Sequence, residues 1–247
     1  MEYRKRCYEA YARTHLPRVG ALSPEAYDSY ARIYAGRYAR ILPRDRSARI
    51  VDVACGHGYF LYFLQKQGYS NALGIDLARD QVEMARRMGV KNVEQCDVFK
   101  YLPERPGVFD MITANHFLEH LTKDEVLLFL DNCARALKPG GRLIVSTPNA
   151  ASLFGPKHAY GDFTHEQAFT PGSLTQVLAV GGFCDIQVQG EKPIVYDTRS
   201  AVRALLWPLA RTMLKCLCVI EQGMARGVHQ VGDVFEPCMF AVARRPG

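Results

Sequence analysis

The stretch RIVDVACGHGYFLYFLQKQGYSNALGIDLA, residues 49–78, decides the fold. It opens on a β-branched run typical of a buried strand. Gly56 and Gly58 follow, where the backbone can turn sharply and approach a ligand without a Cβ clash. The residues after them predict a helix over 58–68, and the segment NALGIDL predicts a second strand ending near Asp76. Strand, glycine turn, helix and strand in this order indicate the first unit of a parallel sheet.

The alternation of strands and helices continues beyond this stretch. The pattern predicts strands near 92–98, 109–116, 141–148, 183–189 and 238–244, and helices over 1–46, 79–89, 123–137, 171–180 and 199–226. Short connections imply a doubly wound α/β sheet with helices on both faces. Right-handed crossovers then place the carboxyl ends of the parallel strands on one edge, where ligands bind.

Composition sets the class of protein. The 247 residues suit a single domain, and 48% hydrophobic content suits a packed core. The sequence shows neither an apolar run long enough to span a membrane nor a secretion leader. The eight cysteines form no CxxC pair, and four of them lie in or beside apolar runs: Cys55, Cys96, Cys133 and Cys184. These are expected to be buried thiols in a reducing, cytoplasmic compartment. The net charge of +6 lies entirely in residues 1–49, which suits a phosphate-bearing substrate or a solvated helical face and gives little support to nucleic-acid binding.

Three aspartates at strand ends indicate the ligand. A dinucleotide-binding turn needs a third glycine where Leu61 stands, and it has no use for Asp52 beside a pyrophosphate, which disfavours a nicotinamide-dependent oxidoreductase. A ligand with an ammonium group explains Asp52. Asp76 suits a ribose diol, and Asp97 suits an adenine amino group. A nucleoside joined to an amino acid needs this set, so the sequence predicts S-adenosylmethionine as the cofactor.

Five segments in order resemble the motifs of class I S-adenosylmethionine-dependent methyltransferases: VDVACGHG, GIDLA, QCDVF, FDMITANHFLEHL and LKPGGRLIVSTPN, within residues 45–150. The resemblance implies a Rossmann-like, mostly parallel seven-stranded sheet whose last strand is antiparallel. It divides the single domain 1–247 into an N-terminal helical lid (1–46), a cofactor core (47–150) and a substrate-side half (151–247). It also implies these cofactor-binding residues: Asp52, Ala54, Cys55, Gly56, Gly58, Asp76, Leu77, Asp97, Val98 and Asn115.

Two histidine clusters follow predicted strands on the cofactor edge. NHFLEH contains His116 and His120, and YGDFTHEQAFT contains Tyr160, Asp162 and His165. Transfer of a methyl group to a hydroxyl usually needs a base to take the proton. We therefore predict His120 or His165 as the base and Asp162 as the group that orients the imidazole or the acceptor. Tyr160 and His116 are candidate acceptor-binding residues.

His116, Glu119 and His120 also follow the spacing i, i+3, i+4, which on a helical turn places them on one face. This block is similar to the Glu-x-x-Glu-His block that binds a divalent cation in ubiquinone-biosynthesis O-methyltransferases and small-RNA 2′-O-methyltransferases, with His116 in place of the first glutamate. Because imidazole favours transition metals over Mg²⁺, a metal at this block is a possible but less favoured alternative.

Segments outside the cofactor core give information about the acceptor of the methyl group. The four tyrosines of PEAYDSYARIYAGRYARIL recur at helical steps, which predicts a face that packs on the main domain or, with Arg37, lines a site. The segments YEAYARTHLP, DFTHEQAFTPGSLTQVLAVGGF and ALLWPLAR resemble bacterial methyltransferases of surface-polysaccharide pathways. That resemblance implies O-methylation of a sugar or a nucleotide- or lipid-linked glycoconjugate.

The apolar stretch 199–226 is expected to cover the substrate mouth or form a dimer contact rather than to rest on a membrane. Two alternatives to sugar methylation remain open: a metal-assisted O-methyltransferase of a phenol, quinone precursor or RNA terminus, and a non-catalytic protein that binds the cofactor for a partner.

Overall fold

The computed structural model describes residues 3–4, 6–7, 22–222 and 234–247. The strands are β1 (Ile50–Val53), β2 (Ala72–Asp76), β3 (Val93–Gln95), β4 (Phe109–Asn115), β5 (Leu137–Pro148), β6 (Cys184–Gly190) and β7 (Cys238–Arg244). The α-helices beyond residue 22 are α1 (Pro24–Tyr38), α2 (Tyr59–Lys66), α3 (Arg79–Arg87), α4 (Val98–Tyr101), α5 (Lys123–Ala136), α6 (Gly155–Ala159), α7 (Pro171–Val180) and α8 (Thr198–Gln222). A 3₁₀ turn, Leu118–His120, follows β4.

The strands form one sheet in the order β3-β2-β1-β4-β5-β7-β6. The first five are parallel, and β7 is antiparallel to both of its neighbours, β5 and β6. This arrangement confirms the predicted Rossmann-like sheet. The chain builds outward from β1 to β3 and then crosses to β4 on the other side of β1. The carboxyl ends of β1 and β4 therefore flank a topological switch point, where open α/β sheets bind ligands.

Helix α1 shows how the N-terminal part attaches to this sheet. It begins where the sequence predicts, because the Ser23 hydroxyl accepts a hydrogen bond from the Ala26 amide and Pro24 occupies the first turn. Tyr27 and Tyr38 are fully buried, and Tyr38 packs edge-on against Phe60 of α2 and Phe240 of β7. The packing of the tyrosine face on the main domain is thereby confirmed.

Several predicted boundaries were wrong. Residues 39–46 form turns rather than helix, and β3 ends at Gln95 instead of continuing to residue 98. The reason at β3 is that Asp97 accepts a hydrogen bond from the Phe99 amide at 2.9 Å and starts the short helix α4. Residues 223–226 of the predicted helix lie outside the described residues.

All eight cysteines are unpaired, which confirms the predicted free thiols. Cys133 is fully buried, whereas Cys55, Cys96 and Cys184 are only partly buried. Among the described helices, none could cross a bilayer.

Candidate functional site

A buried carboxylate lies at the end of β1. Asp52 is almost completely buried, and its Oδ1 accepts hydrogen bonds from the Thr113 hydroxyl at 2.7 Å and from the Asn115 amide at 3.4 Å, both on β4. Burial raises the pKa of Asp52 to about 7, although these two hydrogen bonds act in the opposite direction. Both hydrogen-bonding partners are neutral. A cationic group entering the crevice would therefore stabilise the ionised carboxylate.

The turn after β1 approaches the crevice with bare backbone. Ala54, Gly56 and Gly58 all have positive φ angles, of 51°, 53° and 77°. A Cβ on Gly58 would come within 3.0 Å of the Val90 side chain, so this position has no space for a larger residue. The turn therefore packs closely against Val90, and its backbone lies near the ends of the strands.

Asp76, at the end of β2, holds this turn in place. Its Oδ2 accepts a hydrogen bond from the Gly56 amide, and its Oδ1 accepts one from the Ala78 amide, both at 2.8 Å. Burial raises the pKa of Asp76, and the backbone hydrogen bonds oppose that rise. Each carboxylate oxygen keeps a further lone pair that can accept a hydrogen bond from a ligand hydroxyl.

The remaining predicted cofactor residues surround the same edge. Leu77 is 66% exposed directly after Asp76, as expected for an apolar side chain that a ligand would cover. Asp97 and Val98 begin α4, at the neighbouring strand end. The Cys55 side chain packs against Gly74 of β2. These features together fit S-adenosylmethionine: the buried Asp52 carboxylate suits a cation, the glycine turn has no side chains to block a ligand, and the Asp76 carboxylate has lone pairs for ligand hydroxyls.

A second group of side chains lies just beyond Asn115. Candidate ligand atoms of Glu119, His120 and His165 all lie within 4.8 Å of one another, and the two imidazole rings meet edge to face at 4.7 Å. They line a cavity of about 330 Å³, whose wall also includes Asp162 and Lys157. The predicted convergence of the two histidine clusters on one edge is therefore confirmed.

The hydrogen bonds of the two histidines define their tautomers. The Thr164 hydroxyl donates to the Asp162 carboxylate at 2.8 Å, so it must accept from His120 Nδ1, 2.9 Å away. His165 Nδ1 lies 2.8 Å from the Ala159 carbonyl oxygen, which can only accept. Both imidazoles therefore carry their proton on Nδ1 in the neutral state and their lone pair on Nε2. Burial lowers the pKa of His120 and keeps it neutral, although the Glu119 charge opposes this.

Glu119 is fully buried at the centre of the group. Its Oε1 lies 3.2 Å from His116 Nδ1, and its Oε2 has no hydrogen-bond partner among the described residues. Burial opposes its ionisation, but the hydrogen bond and charge of His116 outweigh that effect and lower the pKa of Glu119. The Glu119 carboxylate is therefore ionised, with one buried oxygen that can bind a cation or a proton donor.

The predicted metal set of His116, Glu119 and His120 does not come together as proposed. His116 has a φ of 52° and precedes a 3₁₀ turn, so the α-helical spacing that would align the three side chains does not apply. His116 still contacts Glu119, but the histidine that groups with both Glu119 and His120 is His165. His116 instead shares a second group with Glu191 and Cys238.

Two predicted acceptor-binding residues lie away from this centre. Tyr160 is 78% exposed on the loop that follows α6. Arg37 of α1 forms an ion pair with Glu191 at 2.7 Å, which places it beside the His116 group rather than beside His120. Neither side chain is among the residues that line the cavity beside Glu119, His120 and His165.

Residues that the sequence analysis missed hold this cluster in place. Thr164 links His120 to Asp162, and the amides of Glu166 and Gln167 donate to the Glu119 carbonyl oxygen at 2.7 and 3.0 Å. Arg4 donates to the His120 carbonyl oxygen and pairs with Glu125. The local sequence signal for this arrangement was the segment DFT of DFTHE. An aspartate side chain often forms a turn by accepting a hydrogen bond from the residue two positions later.

Comparison with known proteins identifies the family. A family model described as a methyltransferase domain matches residues 27–223. The ubiquinone biosynthesis O-methyltransferase of Xylella fastidiosa strain 9a5c is 39% identical over 107 residues, which are 41% of this chain and 42% of that protein. The protein of the same name from Idiomarina loihiensis is 25% identical over 158 residues, 58% of this chain and 64% of that protein. The chain thus spans less than two thirds of the length of these relatives.

Solved structures share the fold. A SAM dependent methyltransferase from Archaeoglobus fulgidus superposes with a TM-score of 0.63 at 23% identity, covering 89% of this chain and 96% of that one. A possible histamine N-methyltransferase from Thermotoga maritima gives 0.59 at 18% identity and covers 97% of both chains. The relatives do not support the expected similarity to polysaccharide methyltransferases. Because the family match extends over about four fifths of the sequence, the chain belongs to the methyltransferase-domain family, and it is a class I S-adenosylmethionine-dependent methyltransferase.

Proposed function

We propose that this enzyme methylates a hydroxyl group on a small aromatic acceptor, a phenol or a quinone precursor. Two relatives that match the chain over parts of their length are named ubiquinone biosynthesis O-methyltransferases, which supports an aromatic acceptor over a sugar. The cavity of about 330 Å³ beside His120 is at the small end of ligand pockets, which suits a single ring.

The hydrogen-bond acceptors of the cluster beside Asn115 are the observation that favours oxygen as the methylated atom. Glu119, His120 and His165 bring a carboxylate oxygen and one nitrogen of each imidazole within 4.8 Å of one another. A group of hydrogen-bond acceptors favours a ligand that brings a donor, and a hydroxyl brings one. The cluster follows directly on Asn115, which hydrogen-bonds Asp52 in the cofactor crevice. The acceptor and the cofactor would therefore meet at this strand end.

The proposed reaction is an in-line displacement. S-adenosylmethionine, held by Asp52, Asp76 and the glycine turn, would supply the methyl group. The acceptor oxygen would bond to the methyl carbon as the carbon–sulfur bond breaks, and the electron pair would stay on the sulfur of S-adenosylhomocysteine. His120 Nε2 takes the hydroxyl proton, and Thr164 with Asp162 holds the resulting imidazolium on its Nδ1 side. The protein holds the two reactants in line, which supplies much of the rate.

The experiment that tests the proposal is a transfer assay with radiolabelled cofactor. The acceptors are catechol, dihydroxybenzoate, an aminophenol and a nucleotide-linked hexose at equal concentration. We expect label on the aromatic hydroxyls, with a methyl ether in the product by mass spectrometry. Label on the hexose alone would contradict an aromatic acceptor, and label on nitrogen in an aminophenol would contradict O-methylation.

The pKa of Asp52 predicts how cofactor affinity depends on pH. If the ionised carboxylate binds the methionine ammonium, affinity for S-adenosylhomocysteine should be highest above pH 7 and fall toward tenfold per pH unit below it, because the free protein must first lose a proton. Calorimetry across pH 5.5–8.5 measures this as a series of dissociation constants. Asp52→Asn should bind more weakly with little pH dependence. If the affinity of the wild-type protein did not change with pH, Asp52 would not be the residue that binds the ammonium group.

The same cluster fits a divalent cation, and this is the second candidate mechanism. The observation that favours it is the buried Glu119 Oε2, which has no hydrogen-bond partner in the part of the chain that the structure describes. The Nδ1 atoms of both histidines are engaged by polar partners, as is usual for metal-bound imidazoles. Two imidazoles with one carboxylate suit a transition metal better than Mg²⁺. A bound cation would lower the pKa of the acceptor hydroxyl.

We expect the protein to bind one Mn²⁺ or Zn²⁺ ion per chain, measured by elemental analysis after dialysis. Glu119→Gln should lower ion affinity at least about tenfold and leave affinity for S-adenosylhomocysteine unchanged, because this residue lies outside the cofactor crevice. Chelation followed by a transfer assay shows whether the ion takes part in turnover. Full activity after exhaustive chelation, with no metal retained, would assign proton removal to the imidazole alone.

A further inference from the structure

Tyr27 of α1 reaches the glycine turn of the cofactor crevice. Its hydroxyl donates a hydrogen bond to the His57 carbonyl oxygen at 2.5 Å, and its side chain is fully buried. The ring packs against Tyr59 and Tyr62 of α2, with centroids 4.4 and 5.3 Å away. Burial raises the pKa of Tyr27, so the phenol stays protonated and can donate. The hydroxyl thus joins a helix outside the sheet to the backbone between the two glycines of the turn.

The turn needs such contacts because its glycines do not fix its conformation. Gly56 and Gly58 have φ angles of 53° and 77°, and glycine adopts either sign of φ with little difference in energy. The peptide unit between His57 and Gly58 is held at both ends. Its carbonyl oxygen accepts from Tyr27, and its N–H donates to the Cys55 carbonyl oxygen at 2.8 Å. Rotation of this peptide unit would break both hydrogen bonds.

Side chains from two separate elements therefore hold the turn. Asp76 at the end of β2 accepts from the Gly56 amide, and Tyr27 of α1 donates to the carbonyl oxygen of the next residue, His57. A buried carbonyl oxygen that loses its donor is costly, so without the hydroxyl the turn would open or change its conformation. A turn that already has its binding conformation loses less free energy to ordering when the ligand binds.

We propose that Tyr27 is a positioning residue for the cofactor, which holds the peptide between His57 and Gly58 in the orientation that S-adenosylmethionine binds. Tyr27 acts through the backbone of the turn and does not need to touch the cofactor. The proposal rests on the assignment of this turn to the cofactor, and it is independent of which acceptor is methylated. The hydrogen bond also couples α1 to the crevice. The cofactor should therefore stabilise α1 to the same extent that this contact strengthens cofactor binding.

Tyr27→Phe tests this role, because it removes the hydroxyl and keeps the ring packed on Tyr59 and Tyr62. We expect calorimetry to show about tenfold weaker binding of S-adenosylhomocysteine. Hydrogen exchange of the Gly56 and Gly58 amides in the free protein should become about tenfold faster, since both amides are hydrogen-bonded only while the turn is closed. Binding of S-adenosylhomocysteine should slow exchange in α1 of the wild type, and it should do so less in this variant.

Tyr69→Phe is the matched control. Tyr69 is also fully buried, and its hydroxyl also donates to a backbone carbonyl oxygen, that of Pro43, at 2.5 Å. Tyr69 precedes β2, so it lies toward the edge of the sheet opposite the cofactor crevice. We expect this variant to lose a similar amount of thermal stability and to keep its affinity for S-adenosylhomocysteine within about twofold of wild type.

Equal loss of affinity in the two variants would overturn the proposal, because it would show a general effect of lost stability. Wild-type affinity in Tyr27→Phe would overturn it as well. Asp76→Ala separates this failure from a wrong crevice. If Asp76→Ala loses affinity and Tyr27→Phe does not, the turn belongs to the cofactor and Tyr27 does not position it. If neither variant loses affinity, the assignment of the turn to the cofactor is also wrong.

Discussion

Replacement of His120 by alanine should lower turnover by roughly 10²–10⁴-fold and leave affinity for S-adenosylhomocysteine within about twofold. The side chain is held through Nδ1 by Thr164, whose hydroxyl is held by the Asp162 carboxylate. This connection stabilises the imidazolium that forms when Nε2 takes the acceptor proton. His165 has only a backbone carbonyl at its Nδ1, so His165→Ala should cost less, on the order of tenfold.

Thr164 tests the same assignment without removing the imidazole. Thr164→Val keeps the volume and loses the hydroxyl, so the His120 tautomer is no longer fixed. We expect turnover to fall about tenfold with an unchanged melting temperature, and Thr164→Ser to restore it. Single-turnover transfer with labelled cofactor measures the chemical step.

His158→Ala provides the matched control for the histidine variants. His158 lines the same cavity but is exposed at its rim, so its loss should change turnover by no more than about twofold. Near wild-type turnover in both His120→Ala and His165→Ala would show that neither imidazole is the base. Catalysis would then rest on positioning of the acceptor.

Asp76→Ala should weaken S-adenosylhomocysteine binding by about 10²–10⁴-fold, measured by calorimetry. The proposed ribose contacts are two charge-assisted hydrogen bonds, each contributing about 1.5–3 kcal/mol. The substitution also releases the Gly56 amide, so the turn that faces the cofactor loses its support. Asp76→Asn should cost less, because the remaining amide oxygen can still accept one of these hydrogen bonds.

Asp80→Ala removes a carboxylate of the same charge from the exposed start of α3, and it should leave affinity within about twofold. This comparison separates a specific contact from a change in local charge. Wild-type affinity in Asp76→Ala, or tighter binding of a nicotinamide nucleotide than of S-adenosylhomocysteine, would contradict the assignment of this crevice.

The cofactor half of the site was predictable because its signals are local. Strand periodicity placed Asp52 and Asp76 at strand ends, and the glycine spacing located the turn between them. Parallel strands with right-handed crossovers have their carboxyl ends on one edge, so side chains far apart in sequence share a crevice by topology alone. Asp97 marks the limit of this reasoning, since its side-chain hydrogen bond ended β3 and started a helix that hydrophobic periodicity did not reveal.

The acceptor half depended on contacts that no local pattern encodes. His120 and His165 are separated by 45 residues, and the loop carrying His165 is held by backbone hydrogen bonds to the Glu119 carbonyl oxygen. His116 hydrogen-bonds Glu119 but is not grouped with His120, because a 3₁₀ turn and a positive φ replace the α-helical spacing, and these features follow from packing.

The sequence by itself determined the parallel sheet, the glycine turn and the strand-end carboxylates, because short-range propensity and side-chain periodicity specify them. The tertiary structure decided which side chains converge in the acceptor cavity and which tyrosine of α1 reaches the glycine turn. Those outcomes depend on long-range hydrogen bonds, such as that of Tyr27 to the His57 carbonyl oxygen, whose free energies exist only in the assembled fold.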